Sequence, residues 1–161
     1  MKNHGWQVHD GKCDYCHHTI LDNPLAKTGH SRWHKKIQQV EAELGYLPAP
    51  YQERESAKMW ASSVLIGKVA TPVEKMRAAM TWLRCYFDRS LEAAIKGNYW
   101  KVHPRFEEYL AMCEPPSDVI PAELMTSIRE QYGRIDGAIP TGDTYWYPPR
   151  SKYRKLQFKP V

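Results

Sequence analysis

Cys13-Asp14-Tyr15-Cys16, followed by His30 and His34, is the stretch whose reading decides the fold. Its spacing is C-x2-C-x13-H-x3-H, inside the window for a tetrahedral metal site of two thiolates and two imidazoles. Gly11-Lys12-Cys13-Asp14-Tyr15-Cys16 reads as a short turn whose backbone N–H groups can point at the sulfurs. Two histidines at i and i+4 share one face of a helix, so they can reach the same ion. The expected metal set is therefore Cys13, Cys16, His30 and His34, holding one structural zinc. His17 and His18 are spare donors that could replace either histidine. His4 and His9 read as surface histidines or as rival ligands.

The helix carrying the pair begins with a capping signal. Asn23 can cap and Pro24 suits the first helical position. Gly29 is a weak helix former, so the first turn is expected to stand apart from the main helix. From His30 the apolar residues Trp33, Ile37, Val40 and Leu44 step by four, three and four, and Gly45 closes the helix. Residues 17–22 are expected to form a brief return strand through Ile20. Residues 1–12 show no clear period.

Beyond the module, residues 46–52 contain Pro48 and Pro50 and read as a linker. A helix is expected over 53–66, with Ala57, Trp60, Ala61 and Val64 inward. Thr71-Pro72-Val73-Glu74 is a capping box with proline at the first position, and it starts the longest helix, 72–96. Its stripe of Val73, Met76, Met80, Leu83, Phe87, Leu91 and Ala94 reads as core. Lys75, Arg77, Arg84, Asp88, Arg89 and Glu92 read as the opposite, polar side. A short helix opens at His103-Pro104 and runs to Cys113, and another spans 121–132. Cys85 and Cys113 fall in apolar helical patterns and read as core thiols. The fold class is mostly α. A ββα-like zinc finger (1–45) precedes a small helical body (53–134) and an extended aromatic, basic arm (135–161).

The chain has 161 residues, 42% of them hydrophobic and 25% charged, which suits a small module plus one compact body. No apolar run reaches the ~18–20 residues of a membrane span, and Met1–Trp6 has no apolar leader core. The expected location is intracellular. A reducing compartment with a metal explains the Cys13/Cys16 pair better than a disulfide does. The net charge is +5. Residues 148–161 hold five Lys/Arg and no acid, while the rest of the chain is balanced. Lys27, Arg32, Lys35 and Lys36 form a second basic cluster around the two histidines, beside Trp33. Two basic patches on a neutral body point to an anionic partner, most often nucleic acid, DNA or RNA. The bland reading of the helix cluster is a solvated face. In the arm, Tyr147, Arg150, Lys152, Tyr153, Arg154 and Lys155 interleave aromatics with cations. This pattern suits stacking on single-stranded bases, docking along a protein, or a disordered tail.

The motif Cys13-Asp14-Tyr15-Cys16, then Asp22-Asn23-Pro24, Lys27-Thr28-Gly29-His30 and His34-Lys35 resembles the C2H2 fingers of the matrin-type and spliceosomal C-protein class. The resemblance covers residues 12–44. It departs from that class in the histidine pair, which there is usually wider apart. The resemblance implies a zinc-bound ββα-like module and a role at DNA, RNA or RNA–protein interfaces.

No catalytic residues are expected. No glycine-rich phosphate loop and no GxSxG occurs, and Glu107-Glu108, Asp136 and Asp143 read as surface carboxylates. The leading expectation is a zinc-stabilised nucleic-acid-binding protein, a component or regulator of a nucleic-acid-processing complex. A protein-interaction subunit that docks on a larger enzyme or ribonucleoprotein stands second. A metal-dependent nuclease stands a distant third.

Overall fold

The computed structural model describes residues 8–13, 16 and 19–133. The arm positions Tyr147, Arg150, Lys152, Tyr153, Arg154 and Lys155 lie outside the described residues. So do His4, His17, His18, Asp136 and Asp143.

Two short strands, β1 (Val8–His9) and β2 (Lys12–Cys13), form an antiparallel hairpin. Asp10 and Gly11 turn it with φ of 50° and 71°. Two successive positive φ values suit the right-handed twist of the flanking strands, and Asp-Gly is a favoured pair for that turn. Thr19 bridges back to Lys12, and the Ile20 N–H donates to the Gly11 carbonyl at 2.7 Å. The expected return of the chain through Ile20 is thus a single bridge. The hairpin itself arises from residues with no visible period.

Helix α1 spans Pro24–Leu44 without a break. Asn23 Oδ1 accepts the Ala26 N–H at 2.8 Å, and Gly45, at φ 81°, closes the far end by donating to the Glu41 carbonyl at 2.9 Å. The expected interruption at Gly29 does not occur. Glycine costs a helix only about 1 kcal/mol relative to alanine, less than the burial of Ile37 and Val40 contributes.

Helix α2 (Tyr51–Ile66) and helix α3 (Pro72–Lys96) form the main antiparallel pair. α3 starts as its capping box dictates: the Glu74 N–H donates to Thr71 Oγ1 at 3.2 Å and the Thr71 N–H to Glu74 Oε2 at 2.7 Å. A 3-10 turn at Trp100–Val102, helix α4 (Phe106–Met112) and helix α5 (Ala122–Tyr132) complete five helices among the described residues. The fold is mostly helical. No helix among the described residues is long and apolar enough to cross a membrane.

α3 is the centre of the body, and that position overrides its two-faced pattern. Met80, Leu83, Phe87, Leu91 and Ala94 are buried as expected, but Val73 is exposed. Arg84 and Asp88, expected on the polar side, are each 1% exposed. Through its middle, residues 78–88, α3 is covered on all sides and offers no solvent face to its polar residues. These two neutralise each other instead, with Arg84 Nε on Asp88 Oδ1 at 2.9 Å. α2 meets α3 through Arg54 and Ala61, with Ala57, Val64 and Leu65 half-buried. Trp60, expected inward, is 43% exposed, because the contact stripe lies one position round the helix from it. Glu107, expected at the surface, is 2% exposed, and burial raises its pKa.

The segment between α1 and α2, expected as a linker, is buried. Tyr46, Leu47, Pro48 and Ala49 pack into the body. Cys13, Cys16, Ile37 and Val40 belong to the same apolar cluster as Leu83, Phe87 and Leu91. The hairpin–helix module is therefore joined to the body by a shared core.

Candidate metal centre

The four expected ligands converge. Cys13 sits at the end of β2, Cys16 on the turn that follows, and His30 and His34 one turn apart in α1. Their exposures are 1%, 2%, 8% and 6%, and one donor atom from each lies within 4.8 Å of all the others. Cys16 Sγ is 3.1 Å from His30 Nε2, and Cys13 Sγ is 3.4 Å from His34 Nε2. The imidazole ring centroids are 4.1 Å apart. Around a tetrahedral ion with zinc-like bond lengths, sulfur and nitrogen ligands stand about 3.6 Å apart. The cluster can hold one metal ion.

Each ligand is placed by local structure with its own cause. The positive-φ turn at Asp10-Gly11 reverses the chain so that β2 delivers Cys13 to the core side. The Asn23 cap and Pro24 set the helix phase. That phase keeps His30, His34, Ile37 and Val40 on the buried side of α1, so the donor cluster and the core share a wall.

The same phase sorts the basic cluster. Arg32 and Lys35, with Thr28 and Gln39, follow the four-three-four spacing of the outward stripe, and all four are exposed. Neither Arg32 nor Lys35 forms an ion pair among the described residues. Lys27 is exposed and bonded to Asp22 at 2.7 Å, which holds the Asp22 carboxyl below its usual range. Lys36 is half-buried. Trp33 turns inward and packs against the core cluster, away from Arg32 and Lys35.

Between the module and the start of α2 lies a cleft of about 400 Å³, with Cys16 and Trp33 on one wall and Pro48 to Arg54 on the other. Beside it Arg54, 6% exposed, bonds Glu92 and donates Nη1 to the Ala49 carbonyl at 2.7 Å. Burial raises the Glu92 carboxyl, but hydrogen bonds from Lys96 and Arg54 outweigh it and leave the pKa lowered. Sequence reading missed Arg54, because it fills a position on α2 that periodicity assigns to an apolar residue. It also missed the cleft, which exists only where the module meets the body.

Of the core thiols, Cys85 is buried and Cys113 half-buried. Burial pushes Cys85 up to about 12 and raises Cys113 as well.

These features define a mostly helical protein with a buried Cys2His2-type cluster able to hold one metal ion. No protein-family model matches the chain, and it has no match among the curated proteins or the solved structures.

Proposed function

We propose that the chain is a zinc-stabilised nucleic-acid-binding protein that serves as a component or regulator of a nucleic-acid-processing complex. Two thiolates and two imidazoles are a donor set that suits zinc over harder cations. With four protein ligands the tetrahedron has no open position, so the ion's binding energy goes into folding and no catalytic step is assigned to it.

The observation that carries the reading is the outward stripe of α1. Arg32 and Lys35 stand exposed and unpaired among the described residues, on a helix fixed at its other face by the metal pair. Such cations neutralise phosphates and release counterions, supplying affinity without base choice. The resemblance to matrin-type fingers points the same way.

The test is a salt titration of binding to short DNA and RNA. The logarithm of the affinity should fall steeply and linearly with the logarithm of salt concentration. No binding to either polymer at low salt overturns the reading.

A second reading, a subunit that docks on a larger enzyme or ribonucleoprotein, draws on exposed apolar side chains along α2 and in the turn that follows it. Met59 is 71%, Ile66 74% and Val69 95% exposed. A contact built on these would persist as salt rises.

A further inference from the structure

We propose that the cleft between the metal module and α2 takes up a single unpaired guanine from a single-stranded nucleic acid. This rests on the nucleic-acid reading above and adds to it a site for one base.

The walls have the right chemistry. Trp33 and Tyr51 supply aromatic surfaces, and Pro48 and Pro50 supply flat apolar ones. Aromatic side chains are the usual platforms for splayed-out bases, whose π faces stack on them. The volume, about 400 Å³, falls in the range of small-ligand sites and leaves room for a base and part of its sugar.

One polar group on this wall is unspent. Glu53 lines the cleft, and its Oε2 is buried with no hydrogen-bond partner among the described residues. The neighbouring charges are consumed: Arg54 bonds Glu92 and the Ala49 carbonyl, and Glu92 also takes Lys96. A buried carboxylate oxygen without a donor is costly, so this one favours a ligand that brings N–H groups. Among the bases, guanine carries two adjacent N–H donors, N1–H and N2–H, on its pairing edge, and a carboxylate has two acceptor oxygens to meet them.

The rival occupant is a cationic side chain of a partner protein, which Glu53 could also pair with. A base trailing a phosphate uses, besides Glu53 and the aromatic walls, Lys12, which lines the cleft and is exposed.

The experiment compares a short oligouridine with the same oligomer carrying one central guanosine, in ribose and deoxyribose forms. It uses the metal-loaded full chain labelled with 5-fluorotryptophan. The Trp33 fluorine signal is assigned by its loss in Trp33→Phe. The guanosine oligomer should bind about tenfold tighter than the plain one and move the Trp33 signal. Glu53→Gln should erase that preference while keeping the affinity for plain oligouridine. If both oligomers bind equally and Trp33 does not respond, the guanine site falls and the nucleic-acid reading stands. If no oligomer binds at low salt, both fall. A Trp33 response to an arginine-rich peptide but to no oligomer overturns the site in favour of protein docking.

Discussion

Asp88, in the middle of α3, accepts the backbone N–H of Ala49 at 2.9 Å through Oδ2, while its Oδ1 holds Arg84 at 2.9 Å. One buried carboxylate thus fastens the segment between α1 and α2 to the central helix. The Arg84 guanidinium completes the arrangement, lying 5.0–5.2 Å from the ring centroids of Tyr46, Phe87 and Phe106. Removing one member strands the other charge in the core. Asp88→Ala is therefore expected to cost about 3–5 kcal/mol, read from the urea midpoint at constant slope. Replacing both charges, as Arg84→Met with Asp88→Leu, should recover much of that loss, because the desolvation cost of the pair goes with them. A double variant as unstable as the single one would contradict this account.

The metal centre predicts a stoichiometry and a thiol pattern. The full chain should bind about one zinc, and Cys13→Ser should lose it and unfold the hairpin–α1 module. In the metal-loaded protein, iodoacetamide near neutral pH should leave Cys13, Cys16 and Cys85 unmodified and reach half-buried Cys113 slowly. Cys85 borders a second small cleft, but its thiol, pushed up to about 12, is not a nucleophile near neutrality. Adding a chelator should expose two more thiols, Cys13 and Cys16, to alkylation, as counted by mass spectrometry.

The outward stripe of α1 predicts a change in salt dependence. If Arg32 and Lys35 each meet a phosphate, Arg32→Ala with Lys35→Ala should shorten the log–log salt slope by about 1.8 on duplex DNA, or about 1.4 on single strands. Lys27→Ala should change it less, since Lys27 already holds Asp22. Anisotropy titrations across salt concentrations measure all three. Equal slopes for parent and double variant would place the contact elsewhere.

Glu92 predicts a pH window. Its folded pKa is lowered from the ordinary 4.5, so in acid the unfolded chain binds this proton more readily than the folded one. Its contribution is full above about pH 4.5 and is lost as pH falls through the lower folded value. The stability difference between parent and Glu92→Gln should be largest at pH 5–6 and shrink toward pH 3, which bracket that ordinary value. Urea melts at stepped pH measure it. Metal loss in acid affects both proteins and drops out of the difference.

Local sequence was enough for the features with local causes. Thr71, Pro72 and Glu74 set the start of α3 at Pro72, and Asn23, Pro24 and Gly45 bound α1. The i, i+4 histidines and the two-residue gap between cysteines mark Cys13, Cys16, His30 and His34 as the expected cluster, with His17 and His18 as spare donors, and those four converge. Each of these signals acts over one helical turn or one tight turn, so no distant partner can change it much. Asp10-Gly11 belongs here too: the pair that turns the hairpin was present and went unread, because a two-residue strand is too short for a period.

Tertiary structure decided what depends on where an element sits. Arg84 and Asp88 look like a solvent face on any helical wheel, and only the central position of α3 makes them a buried pair. Trp33 reads from sequence both as part of the apolar stripe and as a companion of the basic cluster, and only the packing of α1 on the body decides for the core side, leaving Arg32 and Lys35 outside. Pro48 and Pro50 read as a linker, and the Asp88–Ala49 hydrogen bond makes that segment part of the body. The physical reason is common to all three. Burial and the satisfaction of buried charge are set by contacts between distant parts of the chain. Capping and ligand spacing are set by neighbours within a few residues.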